Sequence, residues 1–466
     1  MSLPFKKLSL ALCLSTSLVG CAAMVKTPYQ APVVEIPQSF QYDTHKNQSA
    51  ALSDQWWTLF NDAQLNQLIN QVLAKNTDLA VAGISLKQAR LQAGLAANQQ
   101  GLRTNSNLST GHSFDLGSSN DSDRGLSANV GVSYELDLFG KLANQTEASR
   151  WEALATEQDL QATAQSLVAT TAKLYWQLGY LNERYQTVQQ NLASTQKIYS
   201  LVQTQYKAGE VSGLDLTQAE QSVQSQKASL SQIEQQRVET RTAIAVLLHQ
   251  PVQQLNIQEP AQLPRNALPN IAIGLPADIL ARRPDLQSAE LRLRKTLTNK
   301  DAKTASYYPS ISLTGSLGSS STSLLELLKN PALALGANLS LPFLQYNDMK
   351  KDLAISDLDY EKAILQYRQT LYQAFADVEN ALSSRTQLDQ QVQLQQRNLE
   401  LAEKTEYLTE VRYRHGAIAL KNLLDAQATT RNARLSLVET KQSQYNAYVT
   451  LMQALGGSPV KELPQQ

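Results

Sequence analysis

Leu126-Ser127-Ala128-Asn129-Val130-Gly131-Val132-Ser133-Tyr134 alternates apolar and polar residues over its whole length and carries no charge. Successive side chains of a strand point to opposite faces, so this stretch reads as a strand with one apolar and one polar side. Two later stretches repeat the pattern. In 310–317, Ile311, Leu313 and Leu317 alternate with Ser310, Ser312, Thr314 and Ser316. In 333–341, Leu333, Leu335, Ala337, Leu339 and Leu341 alternate with Ala334, Gly336, Asn338 and Ser340. On pattern alone a half-buried soluble sheet fits first, because such sheets are the commoner case. Two observations reverse that order. No charge interrupts 126–134, 310–320 or 331–342. Their length also suits the roughly 9–11 tilted residues that cross a bilayer. The joining segments 113–125 and 319–330 are rich in Ser and Gly, as exposed hairpin tips are.

A fourth strand, about 104–114, is more polar and is read partly from an internal repeat. Asp78-Leu79 recurs as Asp285-Leu286, a shift of 207 residues. The same shift carries Gly111 to Gly318, Tyr206-x-x-Gly209 to Tyr413-x-x-Gly416, and Ala219 to Ala426. Leu216 and Leu230 fall on Leu423 and Leu437. Each unit holds a helix, two short strands, a very long helix, a Gly turn and a returning helix. In hydrocarbon every backbone N–H and C=O must be paired, so an open sheet is not permitted. Four strands are too few for the smallest common barrel of about eight. The barrel must therefore be shared among several chains.

The helical reading rests on period and on proline. No proline lies between Pro37 and Pro251, or between Pro342 and Pro459. From Leu142 to about Lys207, Leu160, Leu167, Leu174, Leu181, Val188, Thr195 and Val202 recur every seven residues. Ala164, Thr171, Leu178, Tyr185, Leu192, Tyr199 and Tyr206 form the second seam. This is a coiled-coil stripe, and about 65 residues at 1.5 Å each reach about 100 Å. The counterpart is 348–414, with a looser heptad. Returning helices are expected over 214–248 and 420–455, and further helices over 62–100 and 285–306. Gly209 and Gly416 supply the left-handed conformation that ends a helix.

The amino terminus reads as a lipoprotein signal peptide, 1–20: Lys6 and Lys7, an apolar run 8–19, then Leu18-Val19-Gly20-Cys21. Cys21 is the expected lipidation site, receiving diacylglycerol and an N-acyl chain such as palmitate. A plain secretory peptide with an incidental Cys is the blander alternative. Residues 21–52, with Pro28, Pro32 and Pro37, read as a linker leading from the anchor. Repeat 1 spans 53–250, a Pro-rich linker 251–273, repeat 2 274–457, and a tail 458–466. Cys13 leaves with the signal peptide, so no disulfide framework is expected. Without Lys6 and Lys7 the net charge is −2, which does not suggest nucleic acid. No stretch after residue 20 approaches the roughly 18 apolar residues of a spanning helix. If the chain crosses a membrane, it does so with strands.

No Gly-x-Ser-x-Gly elbow or phosphate-binding Gly-x-x-x-x-Gly-Lys-Ser/Thr occurs. His45, His112, His249 and His415 are scattered without paired ligand spacing. Neither an enzyme nor a metal site is expected, and no cofactor beyond the lipid.

Several blocks carry a resemblance. They are Leu136-Asp137-Leu138-Phe139-Gly140-Lys141, Gly274-Leu275-Pro276-Ala277-Asp278-Ile279-Leu280-Ala281-Arg282-Arg283-Pro284-Asp285, Tyr307-Tyr308-Pro309-Ser310-Ile311 and Leu423-Leu424-Asp425-Ala426-Gln427. With them the chain resembles the TolC/OprM-type outer-membrane factor family, in its lipoprotein branch, over essentially the whole mature length. The resemblance implies a mainly α fold with a β-barrel part. It implies a homotrimer, a twelve-stranded outer-membrane barrel and a periplasmic helical tunnel, with Ala22 after the Cys favouring the outer membrane. The protein would be a passive exit duct in a Gram-negative bacterium, served by a periplasmic adaptor and an inner-membrane pump of RND type. Cargo would be antibiotics, dyes and detergents; metal-efflux and type I secretion systems use similar ducts. A lipid-tethered periplasmic coiled-coil scaffold without a channel is the alternative of a different class.

By the same resemblance Ala208, Gly209, Glu210, Val211 and Ser212, and His415, Gly416, Ala417, Ile418 and Ala419, are periplasmic tips where adaptor hairpins dock. The alternative is that the glycines merely terminate helices. Asp425 matches an acidic residue that forms a ring at the entrance, or else is an ordinary first-turn acid. Lys421 stands where some relatives carry an apolar gate residue, and Ala428 where some carry Arg. An i,i+4 Lys421–Asp425 pair would neutralise part of the ring. Asp215, at the repeat position of Asn422, is a candidate for a second ring.

Overall fold

The computed structural model describes residues 25–42, 54–114, 122–265, 267–269, 276, 282–321 and 331–457. Cys21, residues 115–121 and 322–330, and most of 274–281 lie outside them. The chain divides into two units, one of residues 1–34, 84–158 and 288–370, the other of 35–83, 159–287 and 371–466.

In the first unit the alternating stretches form β1 (Arg103–Phe114), β2 (Ser122–Leu136), β3 (Ser310–Ser321) and β4 (Pro331–Ser340). They make one antiparallel sheet in the order β1-β2-β3-β4. Register decides the faces. Leu108 lies opposite Ala128, Val130 opposite Leu317, and Leu317 opposite Leu333; Tyr134, Leu313 and Ala337 form another row. The other face carries Asn107, Asn129 and Gly318 in one row, and Ser133, Thr314 and Gly336 in another. There the Ser109 and Ser127 hydroxyls meet at 2.7 Å. The apolar face is bare: Leu335 is 81% exposed, and Leu108, Val130, Leu317 and Leu333 are exposed as well. β2 begins at Ser122 rather than 126, pairing His112 with Arg124 and Ser113 with Asp123. Ladder bonds need only backbone, so charged residues beyond the apolar band do not stop the hairpin.

The long α-helices among the described residues are α1 (Ala63–Lys75), α2 (Thr77–Asn98), α3 (Lys141–Lys207), α4 (Gly213–Leu247), α5 (Pro284–Ala305), α6 (Tyr346–Arg414) and α7 (Leu420–Ala454). No helix among the described residues is long and apolar enough to cross a membrane. The Leu136–Lys141 block is a strand-to-helix corner. The Asp137 carboxylate accepts from the amides of Leu142 (3.1 Å) and Ala143 (2.7 Å), capping α3. Gly140 takes φ +78°, and Phe139 stacks on Tyr308 at 4.7 Å. Two of the family-like blocks are thus one contact.

Ion pairs order the helices of this unit. Arg90 of α2 reaches Glu157 of α3 at 3.2 Å, and Lys295 of α5 reaches Glu152 of α3 at 2.9 Å. Lys300 of α5 reaches Asp357 of α6 at 2.8 Å. The order α2-α3-α5-α6 repeats that of the strands. The N-terminal segment is strapped across α3 and α5. Thr27 donates its amide and hydroxyl to Asp301, and the Arg294 guanidinium lies over the rings of Tyr29 (4.3 Å) and Trp151 (5.5 Å).

In the second unit the heptad seam of α3 is largely buried, from Leu160 and Ala164 through Leu178 and Leu181 to Val188 and Val202. Its polar members fit because Thr171 and Thr195 donate to the carbonyls of Leu167 and Asn191 one turn back. The expected helix over 62–100 is two helices, α1 and α2. Asn76 between them is extended, and its side-chain carbonyl accepts from the amides of Asp78 (2.9 Å) and Leu79 (3.1 Å). Its amide also donates to the Leu247 carbonyl, so a tertiary contact holds the break. An aromatic core joins Trp56, Phe60, Trp176, Tyr445 and Tyr448, with Phe60 4.7 Å from Trp176. The Pro-rich segment after α4 is bound through Arg241–Glu259 (2.6 Å) and Asn182–Pro260 (2.9 Å).

Candidate functional site: the two helical tips

Both tips lie in the second unit. At the first, the amides of Ala208, Gly209 and Glu210 donate to the carbonyls of Thr204, Tyr206 and Gln205. At the second, His415, Gly416 and Ala417 donate in the same way to Val411, Tyr413 and Arg412. Gly209 at φ +79° and Gly416 at +69° make each turn possible. The backbone of the repeat is conserved in space to single hydrogen bonds.

The side chains then diverge. Ser212 caps α4: its hydroxyl accepts from the Asp215 amide (3.3 Å), while the Asp215 carboxylate accepts from the Ser212 amide (3.0 Å). This capping box satisfies two orphan donors. At the second tip Ala419 occupies the cap and offers no side-chain bond to α7. Ile418, half-buried, completes that turn beside it. Asp215, a candidate for an acidic ring, is here a capping carboxylate. Sequence reading missed this role, though the Ser-x-x-Asp spacing is a helix-start signal that could have marked it.

The tips touch. Val202, Ala219 and Leu420 form a buried cluster, with Val211, Leu216, Tyr413 and Leu424 packed against it. Sequence reading placed Val211 in the first tip and Tyr413 near the end of the long helix before the second, and did not join them. Tyr413 points toward Gln205 across the pair, with the phenol raised above its ordinary range by burial and then by the charge of Asp215.

Lys421 donates to Asp425 at 2.7 Å near the start of α7, both side chains being exposed. The expected i,i+4 pair therefore exists within one chain. Solvent screening makes it worth about 0.3–0.5 kcal/mol, so its effect is on local charge and not on stability. Asp425 also lies well past the capping turn, so it does not cap α7.

The family model described as outer membrane efflux protein matches residues 68–249 and 275–457. The chain belongs to the outer membrane efflux protein family. The two matched segments begin 207 residues apart, at the period of the repeat. This efflux channel is 31% identical over 458 residues to the pyoverdine export outer membrane protein OpmQ of Pseudomonas putida, covering 95% of this chain and 96% of that one. It is 28% identical over 455 residues to the cation efflux system protein CusC of Escherichia coli, covering 96% and 98%. Among solved structures, the outer-membrane channel OprN aligns with a TM-score of 0.83 at 26% identity, covering 93% of this chain and 99% of that one. The open state of the Neisseria gonorrhoeae MtrE channel aligns at 0.81 and 28%, covering 94% and 99%. The chain is an outer-membrane efflux channel that extends into the periplasm, not an enzyme, and the scaffold alternative falls.

Proposed function

We propose that this channel works as a homotrimer, three four-stranded sheets closing one twelve-stranded barrel, as the exit duct of a tripartite efflux system. The observation that carries this reading is a sheet bare on both faces with two unpaired edge strands, β1 and β4. Such a sheet satisfies its backbone in hydrocarbon only by pairing with copies of itself. The apolar rows then meet lipid, and the polar rows of Asn, Ser and Thr line a wet lumen. β1 and β4 run in opposite directions, so the β1 edge of one copy continues the antiparallel order at the β4 edge of the next.

Lipidation of Cys21 is supported by the strap. Thr27 is tied to Asp301, nine residues before β3 begins, and six residues of chain span at most about 20 Å. An acylated Cys21 therefore reaches the foot of the barrel. The tips 208–212 and 415–419 are where an adaptor docks, since they are exposed loops on a rigid paired-helix support. An inner-membrane pump of RND type supplies the energy, and the duct is passive. The cargo is drugs and other small toxic compounds. Asp425 and Lys421 together set the charge of the entrance.

Conductance in planar bilayers tests the duct. Discrete channels from purified protein are expected. Protein that stayed soluble without detergent after removal of its acyl chains, and opened no channels, would overturn it. A deletion strain should become sensitive to antibiotics and dyes; sensitivity to metal cations alone would overturn the cargo.

A further inference from the structure

In the second unit the end of α7 meets the start of α5, and Arg283 stands at the junction. Its guanidinium donates to both oxygens of Asp285 (3.0 and 2.7 Å), to Asp377 of α6 (3.2 Å) and to the Ala454 carbonyl of α7 (3.4 Å). Beside the junction a groove of about 560 Å³ stays open, enough for a drug-sized molecule. Ala162 of α3 and Ala381 and Leu388 of α6 give it apolar walls, and Ser384 and Thr450 supply hydroxyls. Charge is placed unevenly along it. Asp285 and Asp377 share the one cation Arg283, which leaves that end with an excess negative charge. A carboxylate oxygen with one donor can accept another. At the other end Lys173 of α3 donates to Thr450 at 3.1 Å and has no carboxylate partner among the described residues. Burial lowers its ammonium below the ordinary range, with no acid to offset the effect. Thr450 lies one turn before Ala454, so the two ends are at least about 6 Å apart.

The groove has a definite side. On α7, Tyr445 and Tyr448 enter the aromatic core, and at 3.6 residues per turn Thr450 and Ala454 point away from it. On α6, Glu379 accepts from the amides of Gln41 (2.8 Å) and Tyr42 (3.2 Å), and Asp377 and Ser384 lie across the helix from it. Arg385 is buried beside Tyr448 and does not line the groove. A conducting bore has to stay open, so the N-terminal segment and the aromatic core occupy the outside of a duct, and the groove faces its bore. We propose that the groove holds amphipathic zwitterions in passage: an ammonium against Asp285 and Asp377, a carboxylate against Lys173, and an apolar body on the walls between. The assignment deepens the duct reading and rests on it for the side that faces the cargo. A site inside a duct must bind well enough to admit its cargo and weakly enough to release it, which suits a shallow groove with one charge contact at each end.

Ciprofloxacin serves as the probe, being fluorescent, with a piperazine ammonium and a carboxylate at opposite ends of a flat ring system. Its N-acetyl derivative keeps only the carboxylate, and its methyl ester only the ammonium. Fluorescence anisotropy with the purified full-length lipoprotein in detergent should show saturable binding of the parent, with each derivative about tenfold weaker. A derivative that binds as tightly as the parent would overturn the two-ended site. Asp377→Asn should weaken the parent and the ester but not the N-acetyl compound. Lys173→Gln should weaken the parent and the N-acetyl compound but not the ester. Equal loss of all three in either variant would report a disturbed junction and overturn that contact. Ser384→Trp fills the groove from an exposed position and should abolish binding of the parent; undiminished binding would place the probe elsewhere. No saturable binding by a protein that conducts overturns the groove and leaves the duct standing. Binding by a protein that opens no channel overturns the duct reading, and passage through this site with it.

Discussion

Thr27 donates both its amide, at 2.8 Å, and its hydroxyl, at 2.7 Å, to the carboxylate of Asp301, which is 4% exposed. A buried carboxylate of this kind depends on every donor it has. Thr27→Val keeps the shape and removes one donor. We expect a loss of about 1–3 kcal/mol in unfolding free energy, read as a lower denaturant midpoint. Asp301→Asn should lose less, because a neutral amide tolerates burial better.

Asp425→Ala should free Lys421, and Lys421→Ala should free Asp425. The first variant is expected to shift ion preference toward anions and the second toward cations. Reversal potentials across a KCl gradient in planar bilayers measure both. Unchanged values in both variants would remove these residues from the entrance.

Ser212→Ala breaks the capping box and should cost about 1 kcal/mol, located at the start of α4. Hydrogen exchange of the 213–216 amides is the direct readout. Ala419→Ser should slow exchange at the start of α7, where a cap is missing.

The bond between the Pro-rich segment and α4 should be sensitive to acid. Burial raises the Glu259 carboxyl, but the bonds from Arg241 and Asn182 outweigh it and hold the group below its ordinary 4.5. A depressed carboxyl contributes stability that is full above the unfolded value and is lost as pH falls through the folded one. The thermal midpoint should therefore fall as pH drops from about 4.5 downward. Glu259→Gln should flatten that part of the profile while lowering the midpoint at neutral pH.

What could be read from sequence was whatever repeats at short range. The alternation around Val130, the heptads around Leu178 and the glycines at 209 and 416 each act through neighbours a few residues away. The helix break at Asn76 was not legible, since Asn within a helical pattern is ambiguous until Leu247 is placed beside it. Gly179 is a similar case. A Cβ there would stand 3.2 Å from the Gln262 carbonyl oxygen, a constraint set by a residue far along the chain. Arg283 was visible as part of a family-like block. Its bridge from Asp285 (2.7 Å) to Asp377 (3.2 Å) is a tertiary fact.

A sheet with no covered face has no solvent to suit it as a single chain. Water rejects the rows of Leu317 and Leu333, and hydrocarbon rejects Asn107 and Asn129 together with both open edges. The free chain therefore has nowhere to wait. On the proposed assembly, biogenesis becomes a matter of timing: crossing the membrane and finding partners are one event.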